Sequence, residues 1–231
     1  MIYSFTWNGT NCRDKGIRLQ SMPEVIKPEE RVGHVTIPGR AGEMTLTEGA
    51  DIYNSYIQTI PMAVKTETAV REAERWLRGD GWVTFSGQPN LRQRARVIGA
   101  VTFTKHSRNS DWWDGEVQFY CDPIKHPVTE ETIVISESGT AVTNPGDLRG
   151  YPRITVTGSG IVTVSAGGAT LTIPDCQNGW IIDCENEWIL AGNTPQMNAC
   201  SGSFPVFNPG ANAVTFTGAT ALTIAPNWRY L

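Results

Sequence analysis

At 231 residues, 40% hydrophobic and 18% charged, the chain is long enough for one large domain or two modest ones, each with its own core. A net charge of −4 excludes a basic nucleic-acid scaffold, and no run approaches the ~18 consecutive apolar residues of a membrane helix. The charge is uneven: residues 1–127 hold 16 Lys and Arg against 15 Asp and Glu, residues 128–231 hold 3 against 8, so two modules with different neighbours are expected.

The N-terminus has no basic segment leading into an apolar run, so no secretory signal is read there. Residues 2–7 alternate as a strand and Asn8-Gly9 is a hairpin turn. Val32 to Ile37 alternates again and runs into Pro38-Gly39-Arg40-Ala41-Gly42, a glycine loop, with strands at Met44–Thr47 and Ile57–Val64 beyond it. Thr66 has the position of a helix N-cap. Val70, Ala73 and Leu77 recur at helical spacing, Glu67–Arg71 and Glu74–Arg78 are i,i+4 pairs, and Gly79 stands where a helix stops. This predicts a helix over 66–78. Trp82–Ser86, Gln93–Lys105 and Trp113–Asp122 read as strands, which makes the first half an α+β domain.

The boundary is expected near Pro127, giving domains 1–127 and 128–231. The second half reads as short strands at 132–136, 141–143, 153–157, 161–165, 169–173, 180–185, 187–191, 213–217 and 222–226. Its turns are Asn144-Pro145-Gly146, Gly158-Ser159-Gly160, Gly167-Gly168 and Asn208-Pro209-Gly210. Strands spaced in this way predict an antiparallel β-sandwich of jelly-roll or lectin-like type.

No catalytic, cofactor or metal site is read from the residues. The three His are far apart, the five Cys form no CxxC, and no GxSxG, P-loop or HExxH occurs. Reduced, buried thiols explain the cysteines best, although a Cys176–Cys184 bridge across a hairpin has the spacing. Asp183, Glu185 and Glu187 would share one face of a strand, with Ile182, Cys184 and Trp188 on the other. Three acids in one row cannot flank a sugar bond as a glycosidase requires. The Trp residues invite a glycan platform at Trp180 and Trp228; core or subunit interface is the competing explanation. Arg92, Arg94 and Arg96 fall on one strand face, as a solvated row or a partner contact. Pro38, Gly39, Arg40 and Gly42 are the candidate assembly contact, a loop on which a long side chain can reach a neighbour.

In order along nearly the whole chain, several segments resemble the distal tail protein (Dit) family of long-tailed, non-contractile bacteriophages. They are Phe5-Thr6-Trp7-Asn8-Gly9, Val35-Thr36-Ile37-Pro38-Gly39-Arg40-Ala41-Gly42, Glu74-Arg75-Trp76-Leu77-Arg78-Gly79-Asp80-Gly81 and Gly115-Glu116-Val117-Gln118-Phe119-Tyr120-Cys121-Asp122-Pro123. In the second half come Thr143-Asn144-Pro145-Gly146-Asp147, Tyr151-Pro152-Arg153-Ile154, Gly158-Ser159-Gly160 and Ile182-Asp183-Cys184-Glu185. The last are Phe204-Pro205-Val206-Phe207-Asn208-Pro209-Gly210-Ala211-Asn212 and Pro226-Asn227-Trp228-Arg229.

The resemblance implies a mainly β protein with one helix: an N-terminal domain that forms a homohexameric ring, and a galectin-like C-terminal sandwich outside it. It implies a non-enzymatic virion protein at the tail tip, assembled in the host cytoplasm without cofactor or membrane, with DNA only as passing cargo. The implied partners are the major tail tube protein, the tail-associated tip protein, the tape measure protein and a receptor-binding protein. Members of the family with sugar-binding insertions are longer than this chain. Two other functions stay open on the residues alone: a lectin-like module binding a host glycan, and a wall-polymer hydrolase using Asp183–Glu187.

Overall fold

The structure, a computed structural model, describes residues 3–47, 49–196 and 200–231. The chain divides into two compact units, Met1–Val128 (with which Leu231 groups) and Thr129–Tyr230. It is mainly β with one α-helix among the described residues, and every strand pair is antiparallel.

The first unit contains β1 (Phe5–Trp7), β2 (Thr10–Asn11), β3 (Arg18–Leu19), β4 (Val32–Thr36), β5 (Glu43–Thr47), β6 (Tyr56–Val64), α1 (Glu67–Trp76), β7 (Asp80–Phe85), β8 (Leu91–Lys105) and β9 (Trp113–Pro127). Seven of the strands form one sheet in the order β2-β1-β7-β8-β9-β6-β3; β4 and β5 form a separate hairpin. Of the expected strand 2–7, residue 2 lies outside the described residues. Asn8 and Gly9 both have positive φ (49° and 81°), the conformation a tight two-residue hairpin turn requires.

Helix α1 begins as the spacing predicts. Thr66 has extended backbone angles and its side chain accepts from the Ala69 N–H, which satisfies one of the first unpaired donors. The helix ends at Trp76, short of the expected 78, with the Leu77 N–H closing onto Ala73 O and Gly79 left-handed (φ 74°) two residues on. Val70 and Ala73 turn into a core made by Phe5, Trp7, Ile60, Met62, Val64, Val83, Val117 and Phe119. Alternation along β6 to β9 therefore leaves the sheet's other face, with Ile57, Trp82, Arg94, Arg96 and Tyr120, outside this core.

The second unit contains β10 (Ile133–Ile135), β11 (Thr140–Asn144), β12 (Arg153–Ala166), β13 (Ala169–Cys176), β14 (Ile181–Asp183), β15 (Trp188–Ala191), β16 (Thr194–Pro195), β17 (Ser201–Gly202) and β18 (Gly210–Ala225). Two pairs of expected strands are each one long strand. β12 joins 153–157 to 161–165, and β18 joins 213–217 to 222–226. Gly158-Ser159-Gly160 is thus a break inside β12 rather than a turn between strands. The register shifts there, opposite Gly218 and Ala219 of β18.

That break builds the sandwich. The first part of β12 and the last part of β18 pair with each other and with β14 and β10. Beyond the break the same two strands pair with β13 and β11. Gly218 lies at φ 76° with its missing Cβ position against Ile161 O, so a side chain there would strain the backbone and meet a carbonyl. The inward residues of both parts close on one core: Ile154, Val156, Leu222 and Ile224 with Val162, Val164, Val214 and Phe216.

Asn-Pro-Gly segments mark two ordered loops of this unit. The buried Asn144 amide donates to Leu148 O and Phe207 O, each at 2.9 Å, while its Oδ1 accepts from the Gly146 N–H at 2.8 Å. Asn212 does the same for the second loop, donating to Asn208 O at 2.7 Å and Gly210 O at 2.9 Å.

Candidate functional site

The expected assembly loop caps the β4–β5 hairpin. Gly39 and Gly42 are left-handed (φ 84° and 82°) and the Arg40 N–H closes onto Ile37 O at 3.1 Å, so the loop is tightly folded. Pro38, Gly39, Arg40 and Gly42 are all exposed at the tip, and Arg40 forms no ion pair among the described residues. At its base the hairpin continues through backbone bonds from Arg31 N to Ile52 O and from Asn54 N to Glu29 O.

The hairpin's register sorts its side chains. Val35 faces Met44 and Gly33 faces Leu46, so Val35, Met44 and Leu46 share one side, which Ile37 extends past the strand end. His34, Thr36, Glu43 and Thr45 occupy the other; His34 Nδ1 lies 3.5 Å from Thr45 Oγ1 and 3.9 Å from Glu43. The hairpin is amphipathic, yet its apolar side is bare: Val35, Ile37, Met44 and Leu46 are 37–46% exposed. A two-stranded hairpin in water is marginal by itself, and contiguous exposed apolar side chains mark contact surfaces. Sequence reasoning singled out the tip and not this stripe. The signal was present as alternation on both sides of the glycine loop, in register across it.

The acid row is corrected. Asp183 ends β14 and residues 184–187 form a turn, with Glu187 at φ 55°, so no strand face carries the three acids together. Asp183 accepts from the Asn186 backbone N–H at 3.1 Å and from its amide, as a turn-forming aspartate does, and Glu185 accepts from the Asn227 amide at 3.0 Å. Trp188 is corrected with them. It faces Asp183 across the β14–β15 pair, so it shares the Asp183 side and is 47% exposed, not core.

The glycan-platform residues lie elsewhere in the unit. Trp228, at 8% exposure, packs against Phe207 at 5.6 Å in the sandwich core and offers no open ring, which overturns its assignment as a platform. Trp180 is half-buried against the same core. Cys176 and Cys184 are both free thiols, as are Cys12 and Cys121. Burial pushes the Cys184 thiol far above its ordinary range, with the Asp183 and Glu187 charges adding to it, and pushes Cys121 up to about 12. No group of His, Cys, Asp and Glu suited to a metal ion occurs among the described residues.

On the outer face of the first unit's sheet, the arginine row of β8 meets Trp82. Arg92 and Arg94 place their guanidinium carbons 4.5 and 4.7 Å from the Trp82 ring centre, and His126 meets that ring edge-on at 5.7 Å. The sequence showed the row but not Trp82, which reaches it only through the β7–β8 pairing of Trp82 with Arg94.

The elements of the fold are a seven-stranded antiparallel sheet backed by one helix, a separate hairpin, and a β-sandwich whose two layers share β12 and β18. A solved structure with this fold is "SPP1 Dit (gp 19.1) Protein, a Paradigm of Hub Adsorption Apparatus in Gram-positive Infecting Phages", similar to this chain with a TM-score of 0.79 over 100% of both chains. The identity is 18%, so what the two share is the fold. No family model matches the sequence, and no curated protein matches it.

Proposed function

We propose that this protein is a structural hub at the distal end of a phage tail, a hexameric ring that joins the tail tube to the adsorption apparatus around the DNA path. The observation that carries this reading is the end-to-end likeness of fold to a tail hub protein, spanning both units. Residues 1–127 form the ring and residues 128–231 the galectin-like sandwich. A closed ring joins two different surfaces of successive copies, so each copy must offer a projecting element and a receiving surface. The bare β4–β5 hairpin, with Pro38, Gly39, Arg40 and Gly42 at its tip, is the projecting element.

In this role the chain performs no catalysis and holds no cofactor. Its partners are its own copies, the tail tube protein, the tape measure protein, the tip protein and a receptor-binding protein, and its place is the tail tip of the virion. Electron microscopy of the purified full-length protein tests the reading. Six-fold rings with a central opening are expected; monomers, two-fold dimers or open filaments would overturn it.

A further inference from the structure

The Arg92–Trp82–Arg94 cluster lies outside the hairpin and is not used by the proposed ring contact. Two guanidiniums rest within 5 Å of one indole ring. The ring attracts each cation but neutralises neither, and a guanidinium on an aromatic face still presents its N–H edge. Neither arginine has an ion pair among the described residues; Asp80, the acid on the neighbouring strand, is taken by Arg96 at 3.5 Å. Arg92 Nε is buried with no hydrogen-bond partner among the described residues, a donor that a folded protein ordinarily satisfies. Beside Arg94 opens a shallow cleft of about 350 Å³ lined by Asp80, Ala95, Arg96, Tyr120 and Asp122.

We propose that this cluster is a carboxylate clamp, which takes a single Asp or Glu side chain from a partner protein. Two guanidinium forks beside one ring match the planar, two-oxygen geometry of a carboxylate. Charge complementarity selects a protein segment over nucleic acid. Asp80 and Asp122 line the adjoining cleft, and residues 1–127 carry a balance of only +1, so a polyanion following the sheet would meet repulsion. A single carboxylate meets less of that repulsion than a polyanion does.

The test uses the full-length protein and a fluorescently labelled peptide with a single glutamate among serines and glycines, with a labelled ten-nucleotide oligothymidylate and inorganic phosphate as competing probes. The wild-type protein is expected to bind the peptide with an affinity that falls as salt rises. Arg94→Gln and Arg92→Gln are each expected to weaken it about tenfold or more, and Arg96→Gln by less than about threefold. Arg94→Lys keeps the charge but lacks the fork, and is expected to fall between wild type and Arg94→Gln while leaving the fold unchanged by circular dichroism. No peptide binding by the wild type, equal binding by all variants, or oligothymidylate or phosphate bound more tightly than the peptide would overturn the clamp.

Discussion

The sandwich of Thr129–Tyr230 and the hairpin of Val32–Thr47 follow the same two-residue alternation and end in opposite states. In the sandwich, the inward residues of β12 and β18 meet those of the facing layer, and Ile154, Val156, Val162, Val164, Val214, Leu222 and Ile224 are buried almost completely. In the hairpin, Val35, Met44 and Leu46 are equally well sorted onto one side and stay 44–46% exposed. Alternation thus specifies which residues share a side, while burial depends on whether a second layer exists. In one region the chain supplies that layer itself; in the other the apolar side stays exposed.

If this contrast is right, damage to the sandwich should cost stability and damage to the hairpin should cost assembly. The largest stability effect is expected from Phe207→Ala. Removing this fully buried ring, which packs against Trp228, should destabilise the second unit by ~3–5 kcal/mol, read from urea unfolding. A loss below ~1 kcal/mol would mean that the core is not closed as described.

Asn144→Ala comes next. It strips the carbonyls of Leu148 and Phe207 of a donor and the Gly146 N–H of an acceptor, at a cost of ~1–3 kcal/mol in the same assay. An unchanged unfolding midpoint would show that the loop does not depend on this side chain.

Alkaline titration gives a graded effect in the first unit. Burial raises the Cys121 thiol from 9.0 and the Tyr56 hydroxyl from 10.0, each to about 12. The folded state keeps these protons where the unfolded chain releases them. The associated stability is complete below pH 9 and is lost as pH rises from 9 through about 12. Urea midpoints should hold level up to pH 9 and then fall, and a thiol reagent at neutral pH should react first with the half-exposed Cys200. Fast labelling of Cys121 in the folded protein would contradict its burial.

Arg40→Ala should change stability least, by less than ~0.5 kcal/mol, since exposed ion pairs and loop arginines contribute little. Its expected effect is a modest weakening of self-association, seen by sedimentation. An unchanged profile would leave the hairpin contact to the apolar side alone.

Most of this architecture was legible because local chemistry and tertiary packing agree. Thr66 caps the helix it announces, Asn8-Gly9 turns the first hairpin, and the Asn-Pro-Gly segments are turns whose polar groups are satisfied close by. What was illegible depended on partners distant in sequence. Gly158-Ser159-Gly160 has turn composition, but pairing with β18 on both sides keeps the chain extended through it. Glu185 and Glu187 read as strand residues because the alternation around them is good; the Asp183–Asn186 bonds fold them into a turn. Trp228 looked like an available ring because only the core shows that Phe207 stands against it. The candidate contact was half legible: the glycine loop marked the place, and the cross-strand register supplied the stripe beside it.

Native mass spectrometry of the full-length protein beside the double variant Val35→Asp, Met44→Lys tests the central claim most directly. Both side chains are already exposed, so the variant should fold and melt like the wild type. The expected result is an assembly near six times 25.3 kDa for the wild type and a 25.3 kDa monomer for the variant. A monomeric wild type would contradict the ring itself; the same oligomer in both would contradict the hairpin as the element that builds it.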